Sequence, residues 1–282
     1  MKVLNTINEV RNLVKEWKTQ GLKIGFVPTM GYLHEGHESL IKRASQENDR
    51  VVVSIFVNPM QFGPKEDLST YPRDLERDSV VCERAGANII FHPTNEEIYF
   101  DDFSSFVDMN GLTSGLCGKS RPTHFRGVCT VVTKLFNIVT PDRAYFGEKD
   151  AQQLAIIKRL VRDLNIDVEV IGCPIVREED GLAKSSRNTY LSEEERDAAT
   201  ILNKALTLAK SKIQDGERKA ENIIKIIENK IDEEKLAKID YIEVVDSFSM
   251  ENVKEISKSV LVAVAVFIGK TRLIDSFTFE LQ

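Results

Sequence analysis

The feature that most limits the possible folds of this chain is its alternation of short apolar runs with amphipathic segments, up to about residue 171. Residues 50–58 (RVVVSIFVN) are rich in β-branched side chains without alternation of apolar and polar, which is typical of a strand covered on both faces. We predict strands at residues 23–28, 50–58, 88–92, 143–146 and 168–171, and helices at residues 7–17, 39–47, 74–85, 128–139 and 151–163. This order predicts an α/β fold, a Rossmann-like parallel sheet with helices on both faces.

The last third of the chain has a different pattern. Ser192 followed by Glu195 predicts the capping box that begins a helix. Helices up to about residue 213 and at residues 217–231 precede strand candidates at residues 241–245, 260–267 and 272–277. We therefore predict two domains, a larger one at residues 1–187 and a smaller C-terminal α+β domain at residues 188–282.

The overall composition argues against several classes of protein. A formal charge of −6 is unlike a nucleic-acid-binding protein, which usually has a basic face. The longest apolar run, residues 260–268, is too short to span a membrane. The N-terminal stretch has charges throughout, so we expect no secretion signal. Four cysteines whose spacings match no zinc motif predict reduced thiols in a cytoplasmic protein: Cys82, Cys117, Cys129 and Cys173.

Two of the four histidines lie in the loop after a predicted strand, PTMGYLHEGHESL, residues 28–40. Such a close pair can bind a metal ion, bind an anion, or be incidental. The His-Glu-x-x-His zinc motif places its ligands four residues apart, whereas His34 and His37 are three apart with Gly36 between them. A loop that leads from a strand into a helix offers unpaired N–H groups and the positive end of the helix dipole, so we favour a phosphate site.

A second basic segment follows a later predicted strand. KSSR, residues 184–187, has a cation at each end and two hydroxyl donors between them, so it can bind phosphate or be an ordinary solvated loop. The sequence has neither a Walker loop nor a GxGxxG fingerprint, so a nucleotide would have to be bound by a different motif. Ligands of parallel sheets bind beyond the carboxyl ends of the strands, which is where both segments are predicted to lie.

Together with these motifs, several longer stretches resemble the pantoate–β-alanine ligase (pantothenate synthetase) family of HxGH-type nucleotidyltransferases. They are PTMGYLHEGHESL, SIFVNPMQFGPKEDLSTYPRD, RPTHFRGVCTVVTKLFNIV, FGEKDAQQLAIIKRLVRDL, PIVREEDGLAKSSRNTYLS and GKTRLID, and they extend along nearly the whole chain. The resemblance implies a two-step reaction of ATP assisted by Mg²⁺. Pantoate first forms pantoyl adenylate with release of pyrophosphate, and β-alanine then forms pantothenate with release of AMP. The resemblance also implies a cytoplasmic homodimer.

The resemblance also implies roles for individual residues. The residues implied to be catalytic are His34, His37, Lys149 and Arg187. The residues implied to bind ATP are Met30, Gly31, Tyr32, Leu33, His34, Glu35, Gly36, His37, Gly147, Glu148, Lys149, Asp150, Val176, Lys184, Ser185, Ser186 and Arg187. Gln61 and Gln153 are implied to bind the hydroxyl groups of pantoate, because a primary amide donates and accepts hydrogen bonds without adding charge. Gln61 is also implied to approach β-alanine, with Asn58 nearby. No metal ligand is assigned, although Asp78 is a candidate for Mg²⁺.

Four positions have open interpretations on the sequence alone. Arg121 and Arg126 in RPTHFRG fit the family pattern, and structural or surface roles are equally consistent with them. Thr123 stands where the family usually has glycine, which would strain the loop if that position needed a positive φ. Lys184 stands where the family usually has an apolar residue, and it can contact phosphate or point to solvent.

Two alternatives to the ligase are a nucleotidyltransferase that acts on a phosphorylated small molecule and a non-catalytic protein with the same fold. The first would need a basic residue for the substrate phosphate, which Gln61 and Gln153 do not provide. The second would be expected to lose the catalytic residues, which are all present. The ligase is therefore favoured, and the C-terminal domain is predicted to act as a lid because its entry segment is KSSR.

Overall fold

The computed structural model describes residues 1–64 and 66–281, and the larger of its two sheets has six strands. These strands are β1 (Lys2–Leu4), β2 (Ile24–Thr29), β3 (Arg50–Ile55), β4 (Ile89–Phe91), β5 (Arg143–Gly147) and β6 (Glu169–Cys173). They pair in the order β1-β4-β3-β2-β5-β6, and every pairing is parallel. The order reverses between β2 and β5, so the crevice expected for a ligand lies beyond the carboxyl ends of those two strands. The predicted Rossmann-like sheet is confirmed.

Helices cover both faces of this sheet. The helices of the described residues are α1 (Ile7–Thr19), α2 (Glu35–Glu47), α3 (Leu75–Ala85), α4 (Asn95–Ile98), α5 (Leu116–Ser120), α6 (His124–Val139), α7 (Ala151–Asp163), α8 (Glu193–Ala198), α9 (Ile201–Gln214) and α10 (Ala220–Ile231). On one face α1, α6 and α7 pack against Phe26 and Val52, and on the other α2 and α3 pack against Val27 and Val53. Because neighbouring strand residues point to opposite faces, both sets are buried and the sequence shows no alternation. Within the described ranges, no helix is both long and apolar enough to cross a membrane.

Several element boundaries differ from the prediction. β3 ends at Ile55, because Asn58 caps a 3₁₀ turn at Pro59–Gln61 and turns the chain out of the sheet. α6 begins at His124 instead of residue 128. The single helix predicted after Ser192 consists of α8 and α9, and the short helices α4 and α5 were not predicted.

The C-terminal region forms a second layer that packs on the first. Its strands are β7 (Ala237–Asp246), β8 (Val260–Ile268) and β9 (Thr271–Phe279), paired antiparallel in the order β7-β8-β9. One face of this sheet, including Val262 and Val264, packs against α9 and α10. The other face, including Leu261 and Ala263, joins the core that contains α1, α6 and α7. The predicted smaller α+β unit is therefore present, and its central strand β8 is buried along most of its length.

Candidate active site

The loop that follows β2 is held in an unusual backbone conformation. Gly31 and Tyr32 both have positive φ angles, of 86° and 51°. The carboxylate of Asp78, which is 1% exposed, accepts hydrogen bonds from Tyr32 N at 2.7 Å and Leu33 N at 2.6 Å. Burial raises the pKa of Asp78, although the two backbone N–H groups favour its charged form. Asp78 therefore braces the loop, and the structure does not support the Mg²⁺ role considered for it, since both oxygens are engaged by the backbone.

The two histidines cap the helix that follows this loop. Nδ1 of His34 accepts a hydrogen bond from Gly36 N at 3.1 Å, and Nδ1 of His37 accepts one from His34 N at 3.4 Å. The two rings therefore replace the serine and glutamate of an ordinary capping box. An Nδ1 that accepts a hydrogen bond has no proton, so each neutral ring has its proton on Nε2. Both imidazoles are thus prepared to donate a hydrogen bond from Nε2.

Gly36 is required by the position of the His34 ring. A Cβ atom built on Gly36 would lie 2.8 Å from Cε1 and 2.9 Å from Nδ1 of His34. Atoms at that distance overlap, so any larger residue would displace the imidazole from the helix terminus. The glycine between the histidines, interpreted from the sequence as freedom for the backbone, has the more specific role of making room for a ring.

Both imidazoles are neutral at physiological pH. Burial lowers the pKa of His34 to about 2, and His37 and Lys149 lower it further. Burial lowers the pKa of His37 to about 4, against the opposing effect of Asp150. These rings therefore act as uncharged donors.

The histidine pKa values make the stability of the folded protein depend on pH. His34, His37 and His124 all have pKa values well below the ordinary 6.5. The unfolded chain therefore binds protons that the folded protein does not, and the free energy of unfolding falls as the pH drops below about 6.5. We expect the midpoint of thermal unfolding to decrease between about pH 6.5 and 5, before most carboxylates titrate. The decrease should be smaller in a His124→Gln variant. A wild-type midpoint that stays constant between about pH 6.5 and 5 would contradict the lowered histidine pKa values.

The GEKD segment after β5 places two charged side chains beside the histidines. Lys149 Nζ lies 3.7 Å from Asp150 Oδ2, and both residues line a cleft of about 690 Å³. Asp150 is half-exposed in the cleft. Desolvation there acts to raise its pKa, but the charges of Lys149 and Arg187 hold that pKa below its ordinary value. Glu148 is exposed, and the position of a Cβ atom on Gly147 has no neighbour within 4 Å. The segment therefore leaves open space next to a cation and an anion.

The KSSR segment contacts the histidine loop directly. The Ser186 hydroxyl donates to the Tyr32 carbonyl oxygen at 3.2 Å, and the Ser185 hydroxyl accepts from Arg187 N at 3.3 Å. The Arg187 guanidinium forms two hydrogen bonds of 3.0 Å with the carboxylate of Asp67. The two phosphate-binding loops predicted separately from the sequence thus lie against one another.

Val176 and Lys184 flank the antiparallel bridge between Arg177 and Ala183. Lys184 Nζ lies 3.2 Å from Glu35 and 2.7 Å from Glu178, which together raise its pKa. From the sequence, Lys184 had two possible roles, a contact with phosphate or exposure to solvent. The structure places it in two ion pairs. The Val176 carbonyl oxygen accepts a hydrogen bond from Lys184 N at 2.9 Å.

Gln61 lies at the end of the 3₁₀ turn after β3 and is 8% exposed. Its Nε2 lies 2.9 Å from the sulfur of Met30, and its Oε1 accepts from Asn58 Nδ2 at 3.1 Å. Asn58 is 1% exposed, and its amide also bonds to Gly127 O and to the hydroxyl of Tyr99. Asn58 therefore lies against Gln61 and orients its side chain, and its predicted place near β-alanine stays a prediction.

His124, the first residue of α6, and Arg121, which follows α5, both donate hydrogen bonds to the main chain of Gln61. Nδ1–H of His124 donates to the Gln61 carbonyl oxygen at 2.9 Å, and Arg121 Nη2 donates to the same oxygen at 3.2 Å. Burial, aided by Arg121, lowers the pKa of His124 to about 4. A Cβ atom on Gly127 would lie 2.4 Å from Met60 O, so α6 can approach the turn only with glycine there. Sequence reasoning missed His124, and its only signal was its place inside RPTHFRG.

The two adjacent glutamines of α7 have different surroundings. Gln152 is 5% exposed, and its Nε2 donates to Leu112 O and Gly115 O at 2.8 and 2.9 Å. Gln153 is partly exposed and lines the same cleft as Lys149. Both glutamines line the cleft, and the greater exposure of Gln153 is consistent with its predicted contact with a ligand.

The cleft is closed on its far side by the C-terminal sheet. Its lining includes Lys149, Asp150 and Arg187 from the first layer, and Tyr241 and Arg272 from the second. In the part of the chain that the structure describes, no group of three or more His, Cys, Asp or Glu side chains is arranged to hold a metal ion. The arrangement suits an elongated polyanion with a polar substrate next to it.

Comparisons with known proteins identify the family. A family model described as Pantoate-beta-alanine ligase matches residues 2–278. The chain belongs to the pantoate–β-alanine ligase family. It is 71% identical over 282 residues to the pantothenate synthetase of Enterococcus faecalis and 63% identical over 281 residues to that of Clostridium acetobutylicum, with 100% of both chains covered in each case.

Solved structures of this family have the same fold. The pantothenate synthetase of Thermus thermophilus superimposes with a TM-score of 0.93 at 44% identity, covering 98% of this chain and 99% of that one. A pantoate–β-alanine ligase from Francisella tularensis, complexed with β,γ ATP and β-alanine, superimposes with a TM-score of 0.80 at 36% identity, covering 98% and 97%. The resemblance predicted from the sequence motifs is confirmed.

The open positions in RPTHFRG now have structural explanations. Thr123 has φ −98° and ψ −8°, an ordinary right-handed conformation that any residue adopts, so it does not strain the loop. Arg121 pairs with Glu66, with Nε 2.8 Å from the carboxylate, and it faces the cleft. Arg126 is exposed and stacks on Phe106 at 4.0 Å. Of the two arginines in this pantoate–β-alanine ligase motif, Arg121 lines the cleft and Arg126 lies at the surface against Phe106.

Proposed function

We propose that this protein condenses pantoate with β-alanine in an ATP-dependent reaction, by way of pantoyl adenylate, to give pantothenate, AMP and pyrophosphate. Membership of the pantoate–β-alanine ligase family supports the overall reaction. The main geometric support is the contact of Ser186 with Tyr32, which brings the histidine loop and the KSSR segment to one end of the sheet. That end is the switch point between β2 and β5, where a nucleotide is expected in such a fold.

In the first step, a carboxylate oxygen of pantoate attacks the α-phosphorus of ATP and pyrophosphate leaves. Phosphoryl transfer of this kind depends mainly on positioning and on neutralising charge. We assign the Nε2–H groups of His34 and His37 to the phosphate oxygens, with Lys149 and Arg187 supplying positive charge. A neutral imidazole is a very weak acid, so His37 stabilises charge by hydrogen bonding and does not deliver a proton.

Gln61 and Gln153 are assigned to the two hydroxyl groups of pantoate. Gln61 is well suited to this role because its main chain is held by His124 and Arg121 and its side chain by Asn58. Such fixed amides reject analogues that lack a hydroxyl, because the unpaired amide would remain buried. Positioning pantoate in this way aligns its carboxylate with the α-phosphorus.

In the second step, the amine of β-alanine attacks the acyl carbon of the adenylate, and AMP leaves. Adenylation is needed because a free carboxylate has no usable leaving group. We assign Gln61 to the approach of β-alanine as well, with Asn58 as its support. Exclusion of water by the C-terminal layer would protect the adenylate from hydrolysis.

The residues of the cleft fit an Mg²⁺ ion that is bound mainly by phosphate oxygens. Mg²⁺ at such sites keeps several waters and takes only one or two carboxylates from the protein. Asp150 is the carboxylate beside Lys149 in the cleft, and its lowered pKa keeps it charged. Bound there, the ion would neutralise charge on the triphosphate.

The division into residues 1–187 and 188–282, with the second domain acting as a lid, is retained as part of this proposal. Support comes from KSSR, which lies at the junction and already contacts the histidine loop. We also retain the cytoplasmic homodimer implied by the family resemblance. Light scattering coupled to size-exclusion chromatography tests the dimer, and a monomer at micromolar concentration would contradict it.

The reaction is tested by following its two steps separately. Incubation with ATP, Mg²⁺ and pantoate is expected to release pyrophosphate, and later addition of β-alanine is expected to give AMP and pantothenate. Pyrophosphate release that does not depend on pantoate would refute the proposal. The same incubation with a phosphorylated hydroxy acid in place of pantoate serves as a control, and turnover there would favour the alternative nucleotidyltransferase.

A further inference from the structure

The GKTRLID motif is used by none of the steps above, although it lines the same cleft. Its Asp275 lies on β9 and is 3% exposed. A buried carboxylate needs a partner, and this one has the guanidinium of Arg177, with Nη1–Oδ2 at 2.6 Å and Nη2–Oδ1 at 2.9 Å. The pair joins the C-terminal sheet to the segment that follows β6.

Arg177 begins a small hairpin that leads into KSSR. Arg177 pairs antiparallel with Ala183, and Glu178 N donates to Leu182 O at 2.8 Å. Arg177 Nη1 also donates to Gly181 O at 3.0 Å, so one guanidinium closes the hairpin turn and binds Asp275. The returning strand of the hairpin continues without interruption into Ser185, Ser186 and Arg187. The placement of the hairpin therefore determines where the KSSR segment lies.

We infer that the Arg177–Asp275 pair is a positioning device for the nucleotide, which fixes the KSSR segment from the C-terminal sheet. Neither residue is assigned a contact with ATP. Their effect acts through the hairpin on the hydroxyls and the guanidinium of residues 185–187. This inference rests on the proposed role of KSSR in binding the triphosphate.

A second ion pair on the same hairpin supplies a matched control. Asp180, in the hairpin turn, makes two hydrogen bonds of 2.8 and 3.1 Å with Arg196 of α8. The Asp180 side chain is 43% exposed, whereas that of Asp275 is 2% exposed. Solvent weakens exposed pairs far more than buried ones, so loss of the Asp180 pair should leave the hairpin in place.

The test compares Asp275→Asn and Arg177→Lys with Asp180→Asn in the full chain of 282 residues. Lysine keeps the positive charge but cannot form the bidentate pair with Asp275. Arg177→Lys therefore tests the inference if the Asp275→Asn variant does not fold. Calorimetry with α,β-methylene-ATP and Mg²⁺ is expected to give a Kd raised about tenfold in the first two variants, a usual size for coupling between separated groups. Asp180→Asn should stay within about twofold of wild type. Hydrogen exchange should be faster in the peptide covering residues 182–190 of the first two variants only.

An unchanged Kd in a folded Arg177→Lys or Asp275→Asn variant would overturn the inference. So would a raised Kd without faster exchange at residues 182–190, or an equal effect of Asp180→Asn. The proposed function fails separately, since a wild-type protein that binds the analogue but forms no pantothenate would refute the reaction and leave the positioning result intact.

Discussion

Replacement of His37 by alanine is expected to slow pantoate-dependent pyrophosphate release by about 10²-fold or more, the usual cost of losing one donor to a transition state. The reason is the loss of a neutral Nε2–H that the helix terminus holds in place through Nδ1. The measurement is a single-turnover assay of adenylation with saturating ATP and pantoate. The far-ultraviolet spectrum should be unchanged, because the hydrogen bond lost to the helix is a long one of 3.4 Å.

A His37→Gln variant distinguishes charge stabilisation from proton transfer. Glutamine offers a neutral N–H donor but no titratable group, so it should retain clearly more activity than alanine. Equal rates for the two variants would favour proton transfer. His92→Ala is the control, since His92 bonds to Ile55 O at 2.8 Å and takes no part in the proposed chemistry. It should lose some stability and little adenylation activity.

Replacement of Gly36 by alanine is expected to reduce the adenylation rate by a similar factor, about 10²-fold, because the methyl group occupies space that the His34 ring needs. The effect on stability should be small. Alanine favours the helix by up to about 1 kcal/mol over glycine, and this offsets the loss of a cap of about the same size. The measurements are kcat/KM for pyrophosphate release and the midpoint of thermal unfolding.

Gly63→Ala is the control for the glycine experiment. A Cβ atom on Gly63 would have its nearest neighbour, a Glu66 oxygen, at 3.5 Å, an ordinary contact. This variant should keep nearly full activity. Wild-type activity in Gly36→Ala would show that the His34 ring can move without consequence, and the assignment of His34 as a positioned donor would then be wrong.

The parallel sheet could be predicted because its strands are buried on both faces and separated by amphipathic helices. The boundaries that were wrong have local causes. Phe56 and Val57 continue the apolar run of β3, but Asn58 and Pro59 start a 3₁₀ turn that composition does not distinguish from a strand end. The prediction placed the start of α6 four residues too late. RPTHFRG contains a proline and a glycine and therefore has the composition of a loop, although α6 begins within it at His124. Gly127 is in fact a helical residue that allows close packing on Met60.

The main chemical residues of the site could be predicted from motifs, whereas their supports could not. The histidine pair, GEKD and KSSR were all recognisable from local residue types. The pairing of Arg187 with Asp67, 120 residues away, depends on the three-dimensional arrangement and leaves no local signal. The same is true of His124 on the Gln61 main chain. Nothing in the local residue pattern separates Asn58, a buried support, from a residue that contacts a ligand.

The pairing of Arg187 with Asp67 has a consequence for the energetics of turnover. In the structure the Arg187 guanidinium is already neutralised by the Asp67 carboxylate. When Arg187 binds a triphosphate as proposed above, a phosphate replaces the Asp67 carboxylate as its partner. Only the difference in free energy between these two ion pairs then contributes to the affinity for the triphosphate. Another anion of low charge gains little binding free energy from replacing Asp67. When pyrophosphate leaves, the Asp67 carboxylate can pair with Arg187 again. Asp67 therefore competes with pyrophosphate for Arg187 and weakens the binding of this product.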